Sequence, residues 1–528
     1  MRAFFLIAFL LLLCACQVNP VTGDRHLQFY GSDWEKKAGA SLYAPMLQSQ
    51  GGDYTLDRDL TGYVQSVGSR LAARARRKNE LKFEFHVLND STPNAWALPG
   101  GKIAINRGLM TELESEAELA AVLAHEIVHA DAAHGARAQS KGVLTQIGAV
   151  AGMVLISSKV DSSAGQQAAA IIPALGAQLI SMKYGRDAER ESDEYGMRYM
   201  SEAGYDPQGA VQLQETFVRL SEGRSSDRLS TLFASHPPSR ERVMLNKETA
   251  SRLPAGGETG RDRFQQQMRF LNRVKPAYDA YDAAMAAAVK EDYETARSEL
   301  DKALDIEPRE PIFHALDGDL HAENNEYPAA MRAFNKAVEL DGSFFYHLLR
   351  RGELRLGLGR DREARTDLEQ SLGLLPTAQA HYLLGNMDRD SDKPESARHH
   401  YKQASQSNSE AGKKSQRELV LMDMDTSPGK FVATAQAADS NGRIYCLIQN
   451  NTKVDLTSIG IQATFIDDNG RTLQDHKTYT AILAGGKQDK VATGWSTANR
   501  SELGRRVKCE VDRVRVADVP EPVAMMAY

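Results

Sequence analysis

Three successive periodicities predict the fold class: a mostly helical α+β domain with a small sheet, then an α-helical solenoid, then a small β-sandwich. Apolar residues recur at three- and four-residue steps through most of 16–255, interrupted by one short group of strands. A repeat of about 34 residues occupies 275–420, and over 428–520 the apolar residues alternate with a period of two. A chain of 528 residues suits about three domains, and 42% hydrophobic with 25% charged is ordinary globular material. The formal net charge of −6 gives no reason to expect a nucleic-acid partner. The most basic stretch, 70–78, reads as the solvated C-terminal end of an amphipathic helix, where cations suit the dipole.

The chain opens with Arg2 and an uncharged run over 3–13, the pattern of a secretory signal and too short to span a bilayer as a mature helix. Its end, Leu13-Cys14-Ala15-Cys16, resembles a bacterial lipobox. That resemblance implies removal of residues 1–15 and acylation of Cys16. Because Gln17 follows where an Asp would suggest retention at the inner membrane, it also implies the periplasmic face of the outer membrane. A simple signal peptide cut elsewhere is the alternative. Cys14 leaves with the signal and Cys16 carries the lipid, so Cys446 and Cys509 remain. An even pair in an oxidising compartment invites a disulfide, with two buried free thiols as the alternative.

A helical pattern over 56–75 precedes an alternating strand, Leu81-Lys-Phe-Glu-Phe-His-Val-Leu88. Residues 94–109 then read as two strands around a Pro-Gly-Gly turn at 99–101. A free edge of this small sheet is a place for an extended peptide to add as a further strand.

Residues 111–134 read as one helix, since Leu113, Ala117, Ala120, Leu123 and Ile127 keep a helical step with no Pro or Gly between them. It carries His125-Glu126-Ile127-Val128-His129. Two imidazoles one turn apart share a helix face and can bind one zinc ion, while Glu126, about 100° around the axis, is placed to serve as a base. With 13 His and 70 acidic residues, chance gives such a motif in roughly one or two of a hundred chains of this length, so a third ligand is needed to decide. Glu189 and Asp193 form an i, i+4 pair downstream. Glu189 can ligate the zinc and Asp193 can hold a ligand imidazole in the correct tautomer. A salt-laced helix face with Arg190 and Arg198 is the competing reading of that pair. Glu191, about 200° from Glu189, is expected to lie off the site. Between the two motifs, 143–158 and 163–182 are poor in charge and rich in small residues, which suggests a buried or lid-like helical hairpin rather than a membrane span.

The motif at 125–129 with His134, the upstream Asn94-Ala-Trp-Ala-Leu-Pro-Gly-Gly101 and the downstream Glu189-x-x-x-Asp193 together resemble the HtpX and CAAX-prenyl-protease family of gluzincins. The order of lipobox, Asn19-Pro-Val-Thr-Gly23, catalytic domain and helical repeats is similar to that of BepA-type periplasmic proteases. The resemblance implies one Zn2+ per chain with ligands His125, His129 and Glu189, the base Glu126 and a supporting Asp193. It also implies that His236, in Ala234-Ser-His236-Pro-Pro-Ser-Arg-Glu-Arg242, lies over the metal. A metzincin is disfavoured, because Gly135 stands where its third His would be. His134, nine residues after His125, is expected on the far side of the helix in a structural role.

After a Gly-rich joint at 254–260, Ala284, Gly318, Gly352 and Gly385 step by 34, 34 and 33 residues (318−284, 352−318, 385−352). Ala296, Ala330, Ala364 and Ala397 keep the same steps, as do Leu300, Phe334, Leu368 and Tyr401, and Ala303, Ala337, Ser371 and Ala404. Small residues at fixed points let paired helices approach, so this is a tetratricopeptide solenoid of four units, whose concave groove suits a protein partner. In the last domain, runs such as Ile444–Ile448 and Val507–Val511 with turns at 468–470 and 485–486 predict an immunoglobulin-like sandwich acting as a spacer or docking module.

Taken together, these features imply a zinc endopeptidase anchored to the outer membrane through a lipid and facing the periplasm. Its expected substrates are misassembled or stalled envelope proteins, with a part in outer-membrane protein assembly and an envelope protein in the repeat groove. The alternative from another class is an assembly scaffold with a latent metal site. Intact His125, Glu126, His129, Glu189 and Asp193 argue against it, since a scaffold could lose any of them.

Overall fold

The computed structural model describes residues 16–141, 184–222, 232–424, 427–467, 469–497 and 500–517. The signal segment and the hairpin expected over 143–182 lie outside the described residues. The chain divides into two compact units, 1–354 and 355–528. No helix among the described residues is long and apolar enough to cross a membrane.

The first unit begins with an antiparallel hairpin of β1 (Cys16–Val18) and β2 (Arg25–Leu27). Helices α1 (Ser32–Ser49) and α2 (Arg58–Ala72) follow, the second started by Asp57, whose carboxylate accepts from the Leu60 amide at 3.1 Å. Strands β3 (Glu84–Leu88), β4 (Ala95–Leu98) and β5 (Lys102–Asn106) form a sheet in the order β3-β5-β4, with β3 parallel and β4 antiparallel to β5. Gly100 and Gly101 turn the β4–β5 hairpin at φ +85° and +87°, conformations that cost glycine little. Gly39 lets α1 lie on that turn, because a Cβ there would stand 1.9 Å from the Pro99 carbonyl oxygen.

After the short α3 (Arg107–Met110) comes α4 (Glu116–Asp131), shorter at both ends than the helix expected over 111–134. It starts late because Ser115 caps it: the hydroxyl accepts from the Glu118 amide at 3.2 Å, and the Glu118 carboxylate accepts from the Glu114 amide at 2.8 Å. It stops early because Ala133 is left-handed at φ +55°, and the chain re-enters helix from residue 134 in a new direction.

Helices α5 (Arg186–Glu202), α6 (Gln208–Glu222) and α7 (Arg240–Arg252) complete the first domain. The Gly-rich joint is a pinned strap. Glu258 bridges Tyr205, and the Ala117 amide donates to the Thr259 carbonyl at 3.0 Å. Helices α8 (Arg261–Gln267) and α9 (Arg269–Ala288) then bury Phe264, Leu271 and Val274 in the same cluster as Leu60, Ile105, Leu123 and Met197. Arg263 reaches the buried Glu116, which also accepts from the hydroxyls of Tyr63 at 2.7 Å and Tyr205 at 2.9 Å. The first repeat therefore shares a core with the domain before it, within the first compact unit.

Helix α10 (Tyr293–Ile306) pairs with α9, and α11 (Pro311–Glu323) with α12 (Tyr327–Leu340). The approach of α11 and α12 depends on Gly318, where a Cβ would meet the Phe334 ring at 2.5 Å. Helix α13 (Phe345–Gly357) runs across the division between the units. In the second unit, α14 (Asp361–Leu374) leads to α15 (Ala378–Asp390), α16 (Pro394–Ala404) and α17 (Glu410–Met424), and Gly385 meets Tyr401 as Gly318 meets Phe334. Between successive helices Glu291, Asn325, Gly359 and Asp392 stand at positive φ, again at steps of 34, 34 and 33 (325−291, 359−325, 392−359).

The second unit ends in β6 (Val432–Ala438), β7 (Arg443–Asn450), β8 (Leu456–Ile466), β9 (Thr472–Tyr479), β10 (Gln488–Ser496) and β11 (Val507–Val516). They form two antiparallel sheets, β10-β7-β6 and β11-β8-β9. Ile444, Ile448, Ile459, Ile461, Val507 and Val514 join both sheets in one buried cluster. Cys446 on β7 and Cys509 on β11 are bonded, S–S 1.97 Å, so the link ties one sheet to the other. Spanning 63 residues, it is expected to stabilise the module by about 4 kcal/mol in the chain-entropy model. Denaturant titration of the whole chain with and without reductant checks this; coincident transitions would reject it.

Candidate metal centre

Helix α4 presents His125 and His129 on one face, and α5 crosses it closely enough to present Glu189 opposite them. The approach is close at Gly196, where an added Cβ would lie 3.3 Å from the His125 amide nitrogen. His125 Nε2 and His129 Nε2 are 3.0 Å apart, and the Glu189 carboxylate oxygens lie 3.6 and 3.4 Å from them. The loop before α7 brings in His236, with Nδ1 3.3 Å from His125 Nε2 and 3.1 Å from Glu189 Oε1. Ligand atoms bound at about 2.0–2.1 Å around a tetrahedral ion are separated by about 3.3–3.4 Å. The four groups therefore converge at the spacing a zinc-sized ion requires, with a nitrogen and oxygen donor set that suits it.

Glu126 points to the same centre from a different angle. Its Oε2 is buried with no hydrogen-bond partner, and its Oε1 is 3.6 Å from His236 Nε2. A buried carboxylate oxygen left open beside a ligand cluster is the feature expected of a base awaiting a water. Burial pushes the Glu126 carboxyl up.

Behind the cluster, Asp193 Oδ1 is 3.0 Å from His125 Nδ1. Arg242 grips Asp193 through two bonds of 2.7 Å and lies 3.0 Å from Glu189 Oε2. Burial opposes charge on His125, but the bonds to Asp193 and Glu189 outweigh it and raise its pKa to about 10. At His129 burial prevails and lowers the pKa. Burial likewise works against the Glu189 carboxylate, yet the neighbouring imidazoles hold its pKa well below the usual range. The salt-laced reading of α5 fails on its arginines: Arg190 pairs with Glu241 and Arg198 with Glu194.

Three neighbours were not assigned to the centre from sequence. Arg242 sits in the His236-Pro-Pro stretch, aimed inward because Ser239 caps α7 by accepting from the Arg242 amide at 3.1 Å. Tyr184 stacks on the His129 ring with centroids 4.0 Å apart. His134 is the clear correction. Because α4 ends at Asp131, His134 does not lie on the far side of that helix; its Nδ1 is 2.9 Å from His129 Nδ1. Glu191, expected off the site, does stay outside the ligand cluster but touches this outer ring at 3.3 Å from His134 Nε2.

Beside the cluster a cleft is lined by Ala95, Leu109, Val122, Met197, Leu213 and Phe217, walls that suit an apolar side chain. Ala95 belongs to β4, one of the two edge strands of its sheet.

Residues 59–249 match Peptidase family M48. Mitochondrial metalloendopeptidase OMA1 of Schizosaccharomyces pombe is 34% identical over 262 residues, which cover 49% of this chain and 73% of that protein. The chain belongs to peptidase family M48. This M48 chain is also similar to the beta-barrel assembly-enhancing protease of Escherichia coli, 26% identical over 309 residues, covering 53% of this chain and 62% of that protein. The M48 match encloses both motifs, 125–129 and 189–193, and reaches past His236 and Arg242. As an M48 member of gluzincin pattern, the chain is a metalloendopeptidase, and its candidate metal site lies where α4, α5 and the loop before α7 meet.

Proposed function

We propose that this M48 peptidase is a zinc enzyme of the bacterial envelope, anchored to the outer membrane through an acylated Cys16. It cleaves misassembled or stalled envelope proteins and assists outer-membrane protein assembly. The observation that carries the catalytic reading is the convergence of His125, His129, Glu189 and His236 beside the open Oε2 of Glu126. The lipobox at 13–16 and the similarity to the beta-barrel assembly-enhancing protease support the compartment and the substrate class.

His125, His129 and Glu189 hold the metal, and Asp193 fixes the His125 ring by accepting from Nδ1. Zinc bound there supplies Lewis-acid polarisation of the scissile carbonyl and a water of lowered pKa. Glu126 removes the proton of the attacking water and delivers it to the leaving amine. His236, with Nδ1 beside His125 Nε2 and Glu189 Oε1, would cover a metal held there and would have to withdraw to admit substrate. We assign catalysis to 16–255, partner capture to the tetratricopeptide groove over 275–420, and docking to the immunoglobulin-like sandwich over 428–520.

Zinc content and cleavage of an unfolded outer-membrane protein, measured for the wild type, His236→Ala and Glu189→Ala, test this reading. Glu189→Ala should lose the metal, and His236→Ala should cleave faster and less selectively. Slower cleavage by His236→Ala would instead make that imidazole a stabiliser of the oxyanion. Fractionation of cells expressing Cys16→Ser tests the anchor: a variant processed and placed like the wild type removes it.

A further inference from the structure

The two histidines of α4 are supported differently from behind. His125 has a carboxylate at its Nδ1, Asp193, whereas His129 has another imidazole, with Nδ1 of His134 at 2.9 Å. His134 is 2% exposed, and its Nε2, which has no hydrogen-bond partner among the described residues, lies 3.3 Å from Glu191 Oε1. Glu191 Oε1 accepts from Asn19 Nδ2 at 2.5 Å, and Glu191 Oε2 from Arg137 at 3.4 Å.

Asn19 is itself held. It is 1% exposed, its Oδ1 accepts from the amides of Val21 at 2.9 Å and Thr22 at 3.3 Å, and its carbonyl accepts from the Gly23 amide at 2.9 Å. Gly23 closes the turn at φ +82°. With Oδ1 committed to the turn, the amide nitrogen has one direction to face, towards Glu191. The Asn19-Pro-Val-Thr-Gly23 stretch, which takes no part in the chemistry, thus ends in a donor pointed at the support of the metal site.

Proton positions follow from the geometry. His129 turns Nε2 to the ligand cluster, so that nitrogen must be bare to bind an ion and the ring proton sits on Nδ1. It is donated to His134 Nδ1, which places the proton of His134 on Nε2, towards Glu191. Tyr184, stacked on the His129 ring, leaves it little freedom to rotate.

We propose that His134, Glu191 and Asn19 are positioning residues of the metal centre, through which the N-terminal turn sets the tautomer and angle of His129 and hence the affinity for zinc. The proposal rests on the reading of His129 as a ligand. Partners that orient a ligand imidazole typically change metal affinity by about 10- to 100-fold when removed.

The test uses the full chain and two readouts: the zinc dissociation constant, by competition with a chromophoric chelator, and the visible spectrum of the cobalt(II)-substituted protein. His134→Phe keeps the ring volume without its nitrogens. Asn19→Asp keeps the acceptor of the turn but removes the donor. Both are expected to bind one zinc per chain about 10- to 100-fold more weakly and to shift the cobalt bands. Should His134→Phe not fold, Asn19→Asp and Glu191→Gln carry the test. Wild-type affinity and spectrum in a folded variant, with only its thermal unfolding midpoint lowered, overturn the proposal, because that is the mark of a purely structural role. A wild type that takes up no zinc, or His129→Ala binding as tightly as wild type, overturns the ligand assignment instead.

Discussion

Glu126→Gln is expected to retain one zinc per chain and to lose peptide hydrolysis, with kcat falling by about 10²- to 10⁴-fold. The reasoning starts from shape. Gln matches Glu in volume, so a side chain that is 3% exposed in the middle of α4 can be exchanged without opening the core. The four converging atoms belong to other residues, so the ion keeps its donors. What is lost is the basic oxygen: Oε2 has no partner in the structure, and an amide in its place cannot take the proton of a water. Burial raises the Glu126 pKa, a direction that makes the carboxylate a better base. Zinc by emission spectroscopy and kcat on an unfolded protein substrate measure the two halves. A variant that cleaves normally, or that purifies without its metal, contradicts the role given to Glu126.

The candidate ligands were legible in sequence because helical geometry is local. A spacing of four puts His125 beside His129 and Glu189 beside Asp193 whatever surrounds them, and each pair is found on one face of its helix. The helical repeats were legible for a related reason. Its small residues recur at fixed steps, and Gly318 against Phe334 and Gly385 against Tyr401 show the steric need behind the recurrence. What escaped is carried by breaks in regularity and by partners distant in the chain. Apolar spacing runs on through Ser115 and Ala133, so the pattern hid both ends of α4 and misplaced His134. The strap at 254–260 read as a joint because its glycines suggest freedom, while the bonds that pin it, to Ala117, Gly204 and Asp206, lie elsewhere in the sequence. Arg242 was visible as a letter in the His236-Pro-Pro stretch, but its partner Asp193 stands 49 residues away.

Arg242→Met is expected to destabilise the metal-free protein by about 3–5 kcal/mol, the usual cost of removing one member of a buried ion pair. Arg242 is 7% exposed, Asp193 9% and Glu189 3%, so little water is at hand to take over from the guanidinium. Its fork serves both oxygens of Asp193 at 2.7 Å while a third nitrogen lies 3.0 Å from Glu189. Met fills much of the volume but leaves two carboxylates facing each other. Arg242→Lys, one charge without the fork, should recover only part of the loss. The pH dependence has a definite sign. Burial acts to raise the Asp193 pKa, but Arg242 and His125 outweigh it and hold that carboxyl below its ordinary value. A depressed folded pKa contributes stability that is present above the unfolded value of about 3.9 and is lost as pH falls through the folded pKa. The gap in thermal midpoint between wild type and Arg242→Met should therefore be widest near neutrality and close as the pH falls below about 4. A gap that stays constant across that range would mean that Arg242 stabilises the fold by packing alone, and the ion pair behind the metal site would lose its assigned role.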